Sequence, residues 1–339
     1  SRTTMILRDP VHGLVSFEGR EAAIVPRLMD TAEVQRLRRV RALGVACLAF
    51  PGAEHSRFAH AVGAAHVMTR FLARVTPLAA ELGQGHRLEA GDAEAALAAA
   101  LVHDVGHGPL SHLFEEVLPA MPAHESWTSA IVLDPDTDLH RALADRDPSL
   151  PARVERLVHG DHPLRYLARA VSGTFDVDRC DYPLRDSYMT GTRYGLYDLD
   201  WPLRSLRLEP DPAGPRLAVD GTKGLPAVEG YFLARLFIYQ QVYFHKATRA
   251  AEAVLRAIFR RLSDVITDGR VPEGTPPQLA AFVRGDAVSV HDYLRLDDDQ
   301  LWCAVEAWSR DADALLATLS ARMLRRALFK TAALDDFDP

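Results

Sequence analysis

The sequence predicts a mainly α protein with one small β-hairpin and a C-terminal helical lobe. Apolar residues recur at helical spacing through most of the chain, and strand-like alternation is confined to residues 205–224. The 339 residues are 48% hydrophobic and 25% charged, which is a globular composition and excludes wholesale disorder. This length allows one large domain or two ordinary ones.

Charge and cysteine content narrow the function classes. The formal net charge of −7 argues against a surface that coats nucleic acid, so an anionic ligand needs a local cluster of basic groups. Cys47, Cys180 and Cys303 have no C-x-x-C spacing and predict neither a disulfide framework nor a cysteine zinc site. We therefore expect a cytoplasmic protein, and one that does not span a membrane, since no apolar run reaches about 18 residues.

The helices are predicted from apolar residues at helical spacing and from the residues that begin or end such stretches. They are predicted over residues 31–44, 61–83, 91–105, 110–117, 125–133, 151–171 and 176–188. Alternation broken by Pro-Ala-Gly-Pro predicts the hairpin at 205–224, after which helical periodicity returns over 227–262 and two or three more helices extend to Leu328. Pro183 predicts a kink or break near Tyr182, because an internal proline removes a hydrogen bond and costs roughly 3 kcal/mol.

Histidines cluster in one part of the chain. Eight of the fourteen lie between His55 and His124, and the segment LVHDVGHGPLSH ends an apolar helix with His103 and Asp104. A half-buried carboxylate there needs a partner, either a bound cation or an ion pair with His103 or an arginine. With the acidic segment FDVDRCDYPLRD, these imidazoles and carboxylates form a mixed N/O set suited to Mn²⁺, Fe²⁺, Mg²⁺ or Zn²⁺.

Several motifs in this order resemble the HD (histidine–aspartate) phosphohydrolase superfamily, and more closely its deoxynucleoside triphosphate triphosphohydrolase branch. They are DPVHG at 9–13, DTAEVQRLRRVRALG at 30–44, FPGAEHSRFAH at 50–60, HDVGHGPLSH at 103–112, HE at 124–125, DVDRCDY at 176–182 and VYFHK at 242–246. The resemblance implies a helical HD core over 1–200, a hairpin and helix completing the active site over 201–262, and a helical lobe over 263–339.

The resemblance also implies roles for individual residues. One divalent metal ion would be held by His60, His103, Asp104 and Asp178. Phosphate would be bound by Arg57, Arg179 and Arg235, and the sugar or nucleoside by Tyr182, Asp186 and Tyr243. The histidines around the scissile phosphate would be His107, His112 and His124, with Glu125 orienting His124 and Glu115 as a further acidic partner.

The expected reaction is hydrolysis of a deoxynucleoside triphosphate to deoxynucleoside and triphosphate, by water attacking the α-phosphorus. Ala42 stands where the resemblance implies a glutamine that contacts the sugar. This difference keeps open the hydrolysis of nucleoside monophosphates or another phosphoester. A regulatory module that binds a nucleotide without turnover is a third hypothesis.

The arginine run RLRRVR at 36–41 has more than one interpretation. Its spacing is typical of a solvated helix face, whereas the resemblance matches Asp30, Gln35 and Arg38 to an allosteric nucleotide site at subunit contacts. Nucleic-acid binding by this run is a third, minor interpretation. We expect a homo-oligomer, a dimer before a tetramer, that uses helix 31–44 and the C-terminal lobe.

Overall fold

The computed structural model describes residues 5–89 and 91–330. The fold is mainly α, as the sequence predicts. The N-terminal half contains β1 (Ile6–Asp9), β2 (Gly13–Ser16), α1 (Ile24–Met29), α2 (Ala32–Arg36), α3 (Arg57–Glu81), α4 (Asp92–Val102), α5 (His112–Val117), α6 (His124–Leu133), α7 (Asp138–Ala144), α8 (Leu150–Val158) and α9 (Arg165–Val171). The C-terminal half contains α10 (Val177–Thr190), α11 (Asp200–Arg204), β3 (Leu206–Glu209), β4 (Arg216–Val219), α12 (Leu225–Ile238), α13 (Lys246–Thr267), α14 (Pro277–Arg284), α15 (Val290–Tyr293), α16 (Asp298–Trp308) and α17 (Ala314–Leu324).

Two apolar cores support the site. In the first, α3 packs between α4 and α10, and the alanine-rich α4 is buried along its whole length because its small side chains let α3 and α8 approach closely. In the second, α17 packs on both α13 and α16, and Phe259 of α13 meets Trp308 of α16 edge-on. Within the described ranges, no helix has both the length and the apolar character needed to cross a membrane.

The predicted hairpin is present. Strands β3 and β4 pair antiparallel from Leu206 opposite Val219 to Glu209 opposite Arg216. A second antiparallel hairpin, β1–β2, was not predicted and places the DPVHG segment at its turn. There the Asp9 carboxylate accepts hydrogen bonds from the backbone N–H groups of Val11 and His12, each at 2.9 Å.

Three predicted helices are interrupted. The helix over 31–44 ends at Arg36, with one 3₁₀ turn to Arg39, because the following backbone bridges to Ser56 instead and the Arg41 N–H donates to Asp298. Residues 151–171 form α8 and α9. Residues 227–262 form α12 and α13, separated by a π-helical turn over Tyr239–Tyr243.

The break expected at Pro183 is wrong. Helix α10 is continuous over Val177–Thr190 with Pro183 inside it. The Asp176 side chain caps its first turn, and Arg185, one turn beyond the proline, is buried in ion pairs with Asp181 and Asp9. The cap before the proline and the buried ion pairs after it thus offset the roughly 3 kcal/mol that the ring costs.

The expectation of a solvated arginine face is wrong for Arg36. Its side chain is buried, and the guanidinium donates to the carbonyl oxygens of Leu296 at 2.6 Å and His107 at 2.9 Å. Arg39 pairs with Asp297 at 2.7 Å. These contacts join the histidine-rich segment to the C-terminal lobe.

Candidate active site

Four side chains with metal-binding chemistry meet where α3, α4 and α10 pack together. His60 lies on α3, His103 and Asp104 directly follow α4, and Asp178 lies on α10. One ligand atom from each of His60, His103 and Asp104 lies within 4.8 Å of the others. The Asp178 Oδ1 atom is 3.0 Å from His60 Nε2 and 3.6 Å from His103 Nε2. The structure therefore brings together the four residues that the resemblance implies as ligands, here called the carboxylate cluster.

Hydrogen bonds fix the orientation of both imidazoles. His60 Nδ1 lies 2.8 Å from Asp181 Oδ2, and His103 Nδ1 lies 2.8 Å from the carbonyl oxygen of Ala100. Both partners accept, so each Nδ1 carries a proton and each Nε2 is the atom left to bind a metal ion or a second proton. The two Nε2 atoms face each other at 3.3 Å. This arrangement, with a carboxylate or carbonyl behind each imidazole, is typical of histidines that ligate a metal, so the residues present fit a divalent ion.

A buried ionic network supports His60 from behind. Asp181 is fully buried, lies 2.6 Å from His12 Nε2 and accepts from Arg185 Nε at 2.8 Å. Arg185 in turn donates to Asp9 at 2.8 Å. Sequence reasoning gave these residues no role, although the DPVHG motif carried the signal. Its Asp9 and His12 are the residues that reach this network.

The charges in the carboxylate cluster favour a cation. Burial opposes the charged form of His60, but hydrogen bonds with Asp178 and Asp181 raise its pKa to about 10. Burial acts to raise the pKa of Asp178, yet His103 and His60 hold it below its ordinary value. The carboxylates thus stay ionised and attract positive charge, which a proton or a metal ion can supply.

A second group, here called the histidine cluster, contains His107, His112, His124 and Glu115, whose ligand atoms lie within 4.8 Å of one another. The rings of His107 and His124 are stacked with centroids 3.8 Å apart, and His112 meets both edge-on. Glu115 Oε1 is 2.8 Å from His124 Nδ1, closer than Glu125 at 3.3 Å. Glu115 therefore orients His124 more directly than Glu125, which is largely exposed.

In the histidine cluster the surroundings lower the pKa of the imidazoles, in contrast to the carboxylate cluster. Burial, followed by the positive charge of Arg57, places the pKa of His107 well below its ordinary value. The same two causes, with His124, lower the pKa of His112. Both imidazoles are accordingly neutral near pH 7.

Arg57 joins the two clusters. Its guanidinium forms a short ion pair with Asp104 and donates through Nε to Ser111 Oγ at 3.1 Å. Burial acts to raise the pKa of Asp104, yet Arg57 and the nearby imidazoles keep it well below its ordinary value. The ion pair with an arginine, left open by the sequence as an alternative to a cation, is therefore present, and the Asp104 carboxylate also remains within reach of His60 and His103.

The turn that carries Ser111 is strained. Leu110 and Ser111 have φ values of 59° and 55°, a left-handed conformation that costs non-glycine residues of order 1–3 kcal/mol each. The buried Asp298 carboxylate accepts from the Leu110 N–H at 2.9 Å, and Ser111 Oγ donates to the carbonyl of Arg41 at 3.0 Å. The lobe therefore holds the backbone that aims Arg57 and His112.

A cavity of about 190 Å³ opens beside His112 and Tyr243, with Ala42 in its wall. Tyr243 Oη donates to Asp186 at 2.5 Å, and the other Asp186 oxygen lies 2.7 Å from His55 Nε2. The buried Thr248 Oγ1, also in this wall, has no hydrogen-bond partner among the described residues. The cavity therefore combines aromatic, apolar and polar groups, as a nucleoside requires.

Two of the arginines implied in phosphate binding differ in availability. Arg179 forms an ion pair with Asp176, the cap of α10, and donates to the Gly173 carbonyl at 2.6 Å. Arg235 lies over Tyr231 with its charge 5.7 Å from the ring centroid. Its buried Nε–H has no partner within the described part of the chain. Tyr182 lies against Tyr243, with ring centroids 6.4 Å apart. Arg235 is thus the better placed of the two arginines to accept a phosphate.

A helical core that joins a His-Asp pair, a second histidine and a distant aspartate, beside a buried arginine, has the donor set expected of the metal-dependent helical phosphohydrolases. The HD domain family model matches residues 57–144. The uncharacterized protein YwfO of Bacillus subtilis is 35% identical over 325 residues, which cover 96% of this chain and 71% of that protein. The chain belongs to the HD-domain family of phosphohydrolases.

Two further comparisons agree with this family. The crystal structure of a phosphohydrolase from Bacteroides thetaiotaomicron superposes with a TM-score of 0.82 at 28% identity, covering 96% of this chain and 78% of that one. Deoxynucleoside triphosphate triphosphohydrolase SAMHD1 of Bos taurus is 34% identical over 127 residues. That match covers 37% of this chain and 20% of the bovine enzyme.

Proposed function

We propose that this protein hydrolyses deoxynucleoside triphosphates to deoxynucleoside and inorganic triphosphate. The observation that carries the proposal is the position of Arg57, which pairs with Asp104 of the carboxylate cluster and donates to Ser111, the residue that precedes His112 of the histidine cluster. A phosphate bound at this guanidinium would lie between the two clusters, with the nucleoside cavity beside His112. The likeness to SAMHD1 supports the same substrate class.

The carboxylate cluster would hold one divalent ion through His60, His103, Asp104 and Asp178. Such an ion supplies phosphate charge neutralisation and a water of lowered pKa. The protein's own contribution is orientation: Asp181 and the Ala100 carbonyl hold both Nε2 atoms toward one point.

The histidine cluster would serve the leaving group. Glu115 accepts from His124 Nδ1, so Nε2 is the nitrogen that exchanges a proton. We assign His124 the transfer of a proton to the departing 5′-oxygen. The neutral His107 and His112 would donate hydrogen bonds to phosphate oxygens without adding charge, while Arg57 and Arg235 would balance the charge of the triphosphate.

A panel of nucleotides hydrolysed in ¹⁸O-labelled water tests the proposal. We expect unlabelled deoxynucleoside and triphosphate that carries one ¹⁸O, because attack at the α-phosphorus breaks the bond to the 5′-oxygen. The Asp104→Ala variant and a chelated sample are the controls. Nucleoside monophosphate with pyrophosphate, or orthophosphate alone, would contradict the mechanism.

A second candidate is hydrolysis of nucleoside monophosphates or another phosphoester. The pairing of Arg179 with Asp176 and of Arg57 with Asp104 favours it, since two of the three arginines expected on the triphosphate already have a carboxylate partner. Ala42 also leaves the cavity without the glutamine that the resemblance implies. Turnover of monophosphates with no turnover of triphosphates in the same panel would establish this candidate instead.

A further inference from the structure

Two polar side chains of α13 line the cavity beside His112 and belong to neither cluster. They are Thr248 and Glu252, which are four residues apart and therefore lie on the same face of the helix. The cavity volume of about 190 Å³ is smaller than the roughly 300–1,000 Å³ that whole drug-sized ligands occupy. The cavity therefore accommodates one part of a nucleotide, and a planar base is the part that its apolar walls suit.

The hydroxyl group of Thr248 is buried without a partner. The residue is 4% exposed, and its Oγ1 atom makes no hydrogen bond to another residue that the structure describes. Buried polar groups in folded proteins are almost always hydrogen-bonded, so an unpaired one needs an explanation. Threonine in a helix has two accessible χ1 rotamers, so this hydroxyl can turn toward a ligand in the cavity. A bound ligand would thus complete its hydrogen bonding.

The carboxylate of Glu252 is held through one oxygen only. Arg249 Nη1 donates to Glu252 Oε2 at 3.1 Å, and Arg256 Nη2 lies 3.6 Å from the same oxygen. Within the described part of the chain, the Oε1 atom has no hydrogen bond and no ion pair. Burial raises the pKa of Glu252, whereas the two arginines oppose that shift and favour the charged form. Glu252 therefore has one fixed oxygen and one that is free to accept from a ligand.

These two groups are complementary to one edge of certain bases. A carboxylate accepts hydrogen bonds and cannot donate them, whereas a hydroxyl does both. Adenine, cytosine and guanine each have an amino group beside a ring nitrogen that accepts, and carboxylates accept readily from such amino groups. The amino group would donate to Glu252, and the Thr248 hydroxyl would donate to the ring nitrogen. Thymine and uracil have carbonyl oxygens in place of the amino group, and a carboxylate repels these oxygens.

We propose that Glu252 and Thr248 select the base of the nucleotide, and that they favour a base with an amino group over thymine or uracil. The proposal rests on the proposed function, since it takes this cavity to be the place of the base. The apolar side chains of Leu43, Val45 and Leu113 in the same wall supply the surface on which the ring packs. Glu252 and Thr248 then distinguish between rings of similar size through hydrogen bonds alone.

Deoxycytidine triphosphate and deoxyuridine triphosphate test the proposal, because the two differ only in the groups at C4 and N3 of the ring. We expect wild-type kcat/KM to be at least about tenfold higher for the cytosine nucleotide. In Glu252→Gln the ratio should fall below about threefold, since the amide can donate to the uracil carbonyl. The matched control is Glu116→Gln, because Glu116 also pairs with Arg256 but does not line the cavity. The control should keep the wild-type ratio, and a wild-type ratio in Glu252→Gln would overturn the proposal.

Thr248→Val separates base recognition from a role in the fold. Valine keeps the shape of threonine without the hydroxyl, so loss of an unpaired buried hydroxyl should leave Tm equal to or above that of the wild type. KM for the cytosine nucleotide should rise about threefold or more, while kcat changes by less than about twofold. A lowered Tm with unchanged KM would assign Thr248 to the fold and overturn its part in recognition.

Binding of the free nucleosides distinguishes this proposal from the proposed function. Equilibrium dialysis with deoxycytidine and deoxyuridine requires no hydrolysis. Tighter binding of deoxycytidine that is lost in Glu252→Gln would support base selection even if no triphosphate were hydrolysed. Hydrolysis of both triphosphates with equal kcat/KM would overturn base selection and leave the proposed function standing. Equal binding of the two nucleosides, or binding of neither, would also overturn it.

Discussion

The carboxylate cluster and the histidine cluster share Arg57 and are both rich in imidazole, but opposite charges surround them. Carboxylates of Asp178 and Asp181 raise the pKa of His60 to about 10. Burial and the Arg57 guanidinium lower the pKa of His107 and His112. Histidines on the two sides of Arg57 are thus prepared for different chemistry: the surroundings of His60 attract a cation, whereas His107 and His112 remain neutral.

The largest effect is expected from Asp104→Ala, because Asp104 belongs to the carboxylate cluster and is also the partner of Arg57. We expect metal content to fall from about one ion per chain to almost none, and kcat/KM to fall by at least about 10⁴-fold. Elemental analysis and product release measure the two effects. Full metal occupancy in this variant would contradict the assignment, and Glu116→Ala, an exposed carboxylate on α5, is the control.

A smaller effect is expected in the histidine cluster, from His124→Ala. Loss of the proton donor should lower kcat by about 10²–10³-fold. Metal content should stay at the wild-type value, since His124 belongs to the histidine cluster. Stopped assays with parallel elemental analysis check both, with the exposed His291→Ala as control. Loss of the metal in His124→Ala would show that the two clusters act as one.

Asp181, the carboxylate that orients His60, gives the next prediction. Asp181→Asn removes the charge that orients His60, and metal affinity should weaken about 10–100-fold while saturating metal restores most of kcat. Titration of the chelated protein with Mn²⁺ measures the affinity. An unchanged dissociation constant would mean that Asp181 serves the fold alone.

Two glutamates lie close enough to His124 to orient its ring. Glu115→Gln should lower kcat about tenfold with wild-type metal content, because Glu115 is the nearer partner of His124. Glu125→Gln should stay within about twofold of the wild type. The reverse order of these two effects would return the orienting role to Glu125, as the sequence analysis expected.

The smallest effect concerns His66, which lies outside both clusters. Burial, His12 and Arg70 lower its pKa to about 4. Between pH 6.5 and 4 the unfolded chain therefore binds one proton more than the folded chain, so the free energy of unfolding decreases as the pH falls. We expect His66→Gln to recover about 1–2 kcal/mol of that loss near pH 4, after allowance for partial exposure of the ring. Urea unfolding at pH 4.5 and 7.5 measures it; equal loss in both proteins would exclude His66 as the source.

Local patterns were enough to predict the helical class and the β3–β4 hairpin, because periodicity and turn residues act over short stretches of chain. They failed where distant groups decide the local structure. Helix 31–44 stops early because Asp298, 257 residues away from Arg41, captures its backbone N–H. The continuity of α10 through Pro183 likewise depends on ion pairs with Asp9, in another part of the sequence.

Some features of the candidate site could likewise be predicted from the sequence, and others could not. The resemblance supplied the four residues of the carboxylate cluster, and the structure brings them together. The preference of His124 for Glu115 over its neighbour Glu125 depends on how α5 and α6 pack, which sequence spacing does not reveal. The engagement of Arg179 could have been foreseen, since Asp176 lies three residues earlier at the cap of the same helix.

The link between Asp298 and the strained turn at Leu110 constrains how this protein can evolve. One carboxylate accepts from the backbones of Leu110 and Arg41, and the lobe carbonyl of Leu296 accepts from Arg36. Recombination that exchanged the lobe for an unrelated one would leave these donors buried and unpaired, at a cost of about 1–3 kcal/mol each. We therefore expect the lobe and the histidine-rich segment to be inherited as a single unit, and new specificities to arise through substitutions in the cavity wall around Ala42 and Thr248 rather than through exchange of whole modules.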